Sequence, residues 1–271
     1  MKYCAGNWKL NKTPDETKAF IEEFRKLLSS DFSLNHNESL KDNGAAADQL
    51  KTLIFFLVYN LVTLHDSIGD LPIEFGPQNI YYENSGAFTG EISPSAAKSI
   101  GSTYALIGHS ERRTLFNETD EDCHKKVQAA IAAGLTPMLC IGESLAQRES
   151  NQTQEVVLKQ LKVALMGITS EFVVAYEPVW AIGTGKVATP EQAEDVHKFI
   201  REQLGKIISS KVAESTSILY GGSVKADNAK GLAEKPNIDG FLIGGASLNP
   251  ADFYKVRGNL FKTQRANESK I

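Results

Sequence analysis

The chain has 271 residues, 42% of them apolar, with 29 Lys and Arg against 33 Asp and Glu for a net charge of −4. That apolar share excludes a largely disordered chain, and the mild acidity excludes a surface-wide nucleic-acid site while leaving a local phosphate site open. The length suits one barrel of about 250 residues or two smaller domains.

The longest apolar run, 53–62, is broken by Asn60 and reaches about half of a membrane span. No apolar stretch follows the single charge at the N-terminus, so no signal peptide is expected and the chain reads as cytoplasmic. Cys4, Cys123 and Cys140 are too scattered for a disulfide framework or a metal knuckle. Cys123-His124 has no partner one helical turn on, so no metal is expected there; no cofactor is expected either.

In chain order, short β-branched or aromatic runs fall at 3–8, 53–57, 73–76, 104–107, 136–141, 172–176, 217–220 and 240–243. They are mostly continuous apolar runs, as parallel strands covered on both faces require. Helical stretches stand between them. Thr13-Pro14-Asp15-Glu16 and Thr189-Pro190-Glu191-Gln192 each offer a capping Thr and a Pro at the first helical position. Phe20, Ile21, Phe24, Leu27 and Leu28 then place an apolar stripe on the first helix. Thr119-Asp120-Glu121-Asp122 starts another helix, which Gly134 can stop. The polar stretch 29–49 reads as a surface insertion, and 262–271 as a frayed tail. Eight strands alternating with helices, without a linker, predict a single-domain (β/α)8 barrel. A doubly wound open sheet stays open on pattern alone.

Barrel chemistry gathers where the strands end. The first strand ends in Asn7-Trp8-Lys9, the fourth in Gly108-His109-Ser110-Glu111, and the sixth runs from Glu177 to Lys186. The seventh ends in Gly221-Gly222-Ser223 and the eighth in Gly244-Gly245-Ala246-Ser247. Taken singly, each has a structural reading: a hydrogen-bonded histidine, a surface lysine, a loop carboxylate, two turns. Gly185-Lys186 fails as a P-loop, because Trp180 stands where the first Gly belongs and Val187 where Ser or Thr should follow. Together, a carboxylate base, a hydrogen-bond donor and a fixed cation are what proton abstraction beside a carbonyl needs. The two Gly-rich turns offer backbone N–H groups to a phosphate. Residues 180–186, between Pro178 and a Gly-Thr-Gly segment, read as a lid.

The motifs Gly6-Asn7-Trp8-Lys9, Gln78-Asn79, Gly86-Ala87-Phe88-Thr89-Gly90-Glu91, Ile107-Gly108-His109-Ser110-Glu111-Arg112-Arg113 and Cys140-Ile141-Gly142-Glu143 resemble the triosephosphate isomerase family. So do the segments 175–186, 219–223 and 240–247. The resemblance implies interconversion of dihydroxyacetone phosphate and D-glyceraldehyde 3-phosphate through an enediolate, in glycolysis and gluconeogenesis. It implies Glu177 as the base, His109 as a neutral electrophile, Lys9 as the oxyanion partner and Asn7 as an orienting group. Gly183, Ser223, Gly244 and Gly245 would hold the phosphate, with Ser110 and Glu111 in support. The helix starting at Ser110 would lower the His109 pKa. In the family the 78–91 loop, from Gln78 to Glu91, reaches into a neighbouring subunit, which implies a homodimer. The chain departs from the family at Leu57-Val58, where a Pro pair is usual, and in the length of the 29–49 insertion.

Two rivals remain. The nearer is another phosphosugar isomerase or an aldolase on the same barrel; an aldolase would need a Schiff-base lysine, for which Lys9 serves only if Glu177 and His109 are set aside. A catalytically silent barrel would show the loss of a catalytic residue or of the lid. The expected partner is therefore a triose phosphate, with neither nucleic acid nor membrane.

Overall fold

A computed structural model of the chain describes residues 1–34, 50–182 and 187–268. The strands are β1 (Lys2–Asn7), β2 (Leu50–Phe56), β3 (Ile73–Pro77), β4 (Tyr104–Ile107), β5 (Thr136–Ile141), β6 (Val173–Tyr176), β7 (Ile218–Tyr220) and β8 (Gly240–Ile243). The helices are α1 (Pro14–Leu34), α2 (Val58–Ile68), α3 (Pro94–Ser99), α4 (Ser110–Leu115), α5 (Asp120–Ala132), α6 (Leu145–Glu149) and α7 (Thr153–Ala164). They continue with α8 (Pro190–Ile207), α9 (Ser210–Ser215), α10 (Ala229–Ala233) and α11 (Pro250–Glu268).

All strand pairs are parallel, in the order β3-β2-β1-β8-β7-β6-β5-β4. The two ends of that order meet, because Thr103 N–H, just before β4, donates to Phe75 O of β3 at 2.9 Å. Gly76 lets the strands approach there: a Cβ at that position would stand 1.9 Å from Tyr104 O. The sheet is therefore a barrel, and the open-sheet alternative is ruled out.

Alternation along each strand divides the core in two. Tyr3, Ala5, Leu53, Phe55, Leu106 and Met138 fill the barrel, while Cys4, Ile54, Phe56 and Ile107 pack outward against the helices. The stripe on α1 is part of that outer layer, with Phe20, Ile21 and Phe24 buried. Trp8 is wholly buried, edge-on to Phe20 and Phe56 at 4.7 and 4.2 Å. Its Nε1–H donates to Ser247 O at 2.9 Å, so the end of β1 is pinned to the turn after β8.

The helix starts follow the expected chemistry. Thr119 and Thr189 each form reciprocal capping bonds with the third helical residue, Asp122 and Gln192. Gly134, past the end of α5, sits at φ +74, where a side chain would be strained. Leu57 joins β2 to α2 at φ −62 and ψ 145, the dihedrals of an extended proline. The junction thus keeps a proline-like path without a proline.

Three boundaries differ from expectation. Helix α1 runs to Leu34, so the 29–49 stretch begins as helix, and 35–49 lies outside the described residues. Strand β2 starts at Leu50, three residues early, because pairing of Lys2 with Leu50 and of Tyr3 with Lys51 extends it. Helix α11 continues through the expected tail to Glu268, and 269–271 lies outside the described residues. Among the described residues no helix is long and apolar enough to cross a membrane.

Candidate active site

One cleft of about 680 Å³ opens at the carboxyl ends of the strands. Asn7 and Lys9 reach it from β1, His109 from β4 and Glu177 from β6. Ser223, Gly244 and Gly245 line it from the turns after β7 and β8. Seven of the ten residues singled out in the sequence therefore share one cavity. Ser110 and Glu111 stand behind it, bonded to residues that line it. Gly183, and with it the rest of the lid segment through 186, lies outside the described residues.

Glu177 follows β6 directly and is 2% exposed. Its two oxygens point to different partners: Oε1 is 2.9 Å from His109 Nε2, and Oε2 accepts from Ser110 N–H at 2.9 Å. Burial raises the carboxyl pKa, but His109, the Ser110 N–H and Lys9 outweigh it and hold Glu177 below its ordinary value. A carboxylate in the resting site is the result.

His109 is the N-cap of α4, and its Nδ1 accepts from Glu111 N–H at 3.2 Å. A nitrogen that accepts carries no proton, so this bond selects the neutral tautomer protonated at Nε2. The expected lowering of the pKa by the helix end is nonetheless not what the resting pair gives. Burial lowers the His109 pKa, but Glu177 and then Glu111 raise it further, and the net shift is upward. The sequence reading left out a carboxylate at hydrogen-bond distance.

Lys9 takes φ +53, a left-handed conformation uncommon outside glycine. Both sides of its peptide are held: Lys9 N–H donates to Asn7 Oδ1 at 3.1 Å, and Gln78 Nε2–H donates to Lys9 O at 2.9 Å. Its Nζ pairs with Glu111 Oε1 at 2.8 Å. Asn7 thus braces Lys9 as well as facing the cleft. A Cβ at Gly244 would stand 3.9 Å from Lys9 Nζ, which places the turn after β8 beside the ammonium.

Three contributors were not singled out as site residues. Gly142 and Gly221 flank Glu177: a Cβ on Gly142 would meet Glu177 O at 1.8 Å, and one on Gly221 would meet Glu177 Cγ at 2.8 Å. Glu143 is wholly buried and accepts from Tyr176 Oη–H at 3.0 Å, Trp180 Nε1–H at 3.0 Å and Arg148 at 3.2 Å. It ties β6 to the start of the lid. The sequence signal for these was only their place in the matched motifs, since their partners come from other elements.

A family model described as triosephosphate isomerase matches residues 2–259. The triosephosphate isomerase of Finegoldia magna is 45% identical over 257 residues, covering 93% of this chain and 96% of the relative. That of Lactobacillus delbrueckii subsp. bulgaricus is 46% identical over 253 residues, covering 92% and 94%. The triosephosphate isomerase of Solibacter usitatus is 44% identical over 256 residues, covering 93% and 96%.

Proposed function

The chain belongs to the triosephosphate isomerase family and interconverts dihydroxyacetone phosphate and D-glyceraldehyde 3-phosphate in glycolysis and gluconeogenesis, and on that premise we propose how its own residues perform the reaction. Glu177 takes a proton from the carbon beside the carbonyl. The electron pair of that C–H bond moves to the carbonyl oxygen, giving an enediolate, and the same carboxyl returns a proton to the neighbouring carbon. His109 Nε2–H bonds to the oxygen that gains charge, and the Lys9 ammonium faces it. Asn7 keeps Lys9 in position. Backbone groups at Ser223, Gly244 and Gly245, together with Gly183, hold the phosphate.

Substrate has to exchange partners to enter. Glu177 Oε1 leaves His109, and Lys9 Nζ leaves Glu111, so that each can face the triose. Keeping water from the cleft then protects the enediolate. No cofactor and no metal are needed for a proton transfer of this kind. The aldolase reading is set aside, because Lys9 pairs with Glu111 rather than lying in the dry pocket that a Schiff-base lysine requires. The three free, buried thiols suit a reducing cytoplasm.

The observation that carries this reading is the carboxylate–imidazole pair at 2.9 Å inside a cleft that also holds an ammonium. The test is Glu177→Gln. Turnover should fall by about 10²–10⁴-fold, the usual worth of a positioned base. Affinity for an unreactive phosphate-bearing analogue, read by calorimetry, should change little. Near-normal kcat in the variant would remove Glu177 from this role.

The same premise extends to assembly. Leu10 is 87% exposed, and Phe88, Leu115 and Phe116 are exposed as well. Leu10 follows Lys9 in the chain, Leu115 and Phe116 end the helix that His109 caps, and Phe88 lies in the 78–91 loop; a second copy of the chain, reached through that loop, would cover them.

A further inference from the structure

A second, smaller cavity of about 170 Å³ lies between α4 and α6. Among the described residues, Glu177 alone lines both it and the substrate cleft. The carboxylate straddles the partition. Oε1 faces His109, which lines the cleft, and Oε2 faces Ser110, which lines the second cavity.

The far wall of this cavity is polar and reaches the surface. Ser144 and Gln147 are half-buried, and Thr114 is exposed. At about 30 Å³ per molecule, a space of that size takes on the order of five waters, and a carboxylate with hydroxyl and amide groups offers the partners they need. Apolar contents would leave Oε2 with one donor for its lone pairs.

We infer that this rear cavity is a water-binding site and the route by which the Glu177 proton exchanges with solvent. The inference rests on Glu177 being the base. Between its two proton transfers Glu177 is a neutral carboxylic acid carrying the substrate's proton. That proton passes from the carboxyl oxygen to a cavity water, and a solvent proton returns to the same carboxyl, with no net change in charge. The exchange does not require the substrate cleft to open.

The test runs the isomerisation in D₂O, with the product trapped by a coupling enzyme, and reads the fraction of product carrying deuterium by mass spectrometry. Thr114→Leu narrows the mouth without touching the substrate cleft. Its kcat and KM should stay within about twofold of the parent, while deuterium incorporation falls several-fold. Thr114→Ser, which keeps the mouth wet, should match the parent. If Thr114→Leu fails to fold by circular dichroism, Thr114→Val removes the hydroxyl at nearly constant shape and should lower incorporation in the same direction. Undiminished incorporation in a folded, active Leu or Val variant would overturn the inference, since the proton would then leave through the cleft. Failure of the underlying reading has a different signature: Glu177→Gln would keep its turnover.

Discussion

His109 is pulled in opposite directions by its neighbours. The Glu111 N–H facing Nδ1 and the surrounding burial both disfavour an imidazolium, while Glu177 at 2.9 Å favours it. In the resting pair the carboxylate prevails, and the pKa lies above its ordinary value. When substrate draws Glu177 away, the strongest of the raising groups is lost, burial, the backbone donor and Lys9 are left against Glu111 alone, and the pKa falls. Neutral imidazole is then the species that meets the carbonyl. Nitrogen-15 NMR of the labelled ring is expected to show His109 titrating above an ordinary histidine in the free protein. In Glu177→Gln, which removes the charge and keeps the shape, it should titrate lower than in the parent. An imidazolium persisting at neutral pH in that variant would contradict the assignment of His109 as a neutral donor.

Glycines set how closely the elements around Glu177 approach. Glu177 N–H donates to Ile141 O and Gly221 N–H donates to Tyr176 O, both at 2.7 Å, so the ends of β5, β6 and β7 converge on one side chain. Gly221→Ala would put a methyl carbon 2.8 Å from Glu177 Cγ and 3.2 Å from Tyr176 O. The backbone cannot retreat, so the carboxylate must. A displacement near 1 Å costs up to about 100-fold in rate. We expect kcat to fall by about 10–100-fold on this ground, with an unchanged far-UV circular dichroism spectrum. An Ala variant with parental kcat would show that Glu177 has room to spare. These glycines also mark where sequence reading stops. All eight strands were legible because parallel strands are continuous apolar runs, and the Thr caps of α1, α5 and α8 because capping is local chemistry. The close approaches at Gly76, Gly142 and Gly221 belong to pairs of strands, and no local pattern carries them. Glu143 was illegible for the same reason: Tyr176, Trp180 and Arg148 converge on it from three segments. The early start of β2 and the extension of α1 to Leu34 came from pairing and helix propagation through residues that read as polar loop.

At the scale of the whole molecule, the 78–91 loop is wired to both halves of the site. Gln78 Nε2–H holds the carbonyl of Lys9 at 2.9 Å. Its neighbour Asn79 accepts from buried Lys126 at 2.8 Å, and Lys126 pairs with Glu118 at 3.0 Å. Glu118 in turn accepts from the N–H of Gly108, which sits at φ +70 directly before His109. A force applied to this loop therefore reaches the ammonium and the imidazole through short chains of bonds. Its tip is exposed: Thr89 lies between Phe88, 40% exposed and packed on Tyr81 at 4.7 Å, and Gly90 at φ +95. If a second copy covers this tip, Thr89→Arg buries a long charged side chain without a partner, which a contact of this kind does not tolerate. The variant should sediment as a monomer and keep its far-UV circular dichroism, because the barrel core does not include residue 89. Turnover should drop by about 100-fold, the cost of loosening placed groups by a fraction of an ångström to 1 Å. Sedimentation velocity and the coupled assay, run on one preparation, separate the outcomes. A fully active monomer, parent or variant, would show that the loop holds Lys9 and His109 without a neighbour.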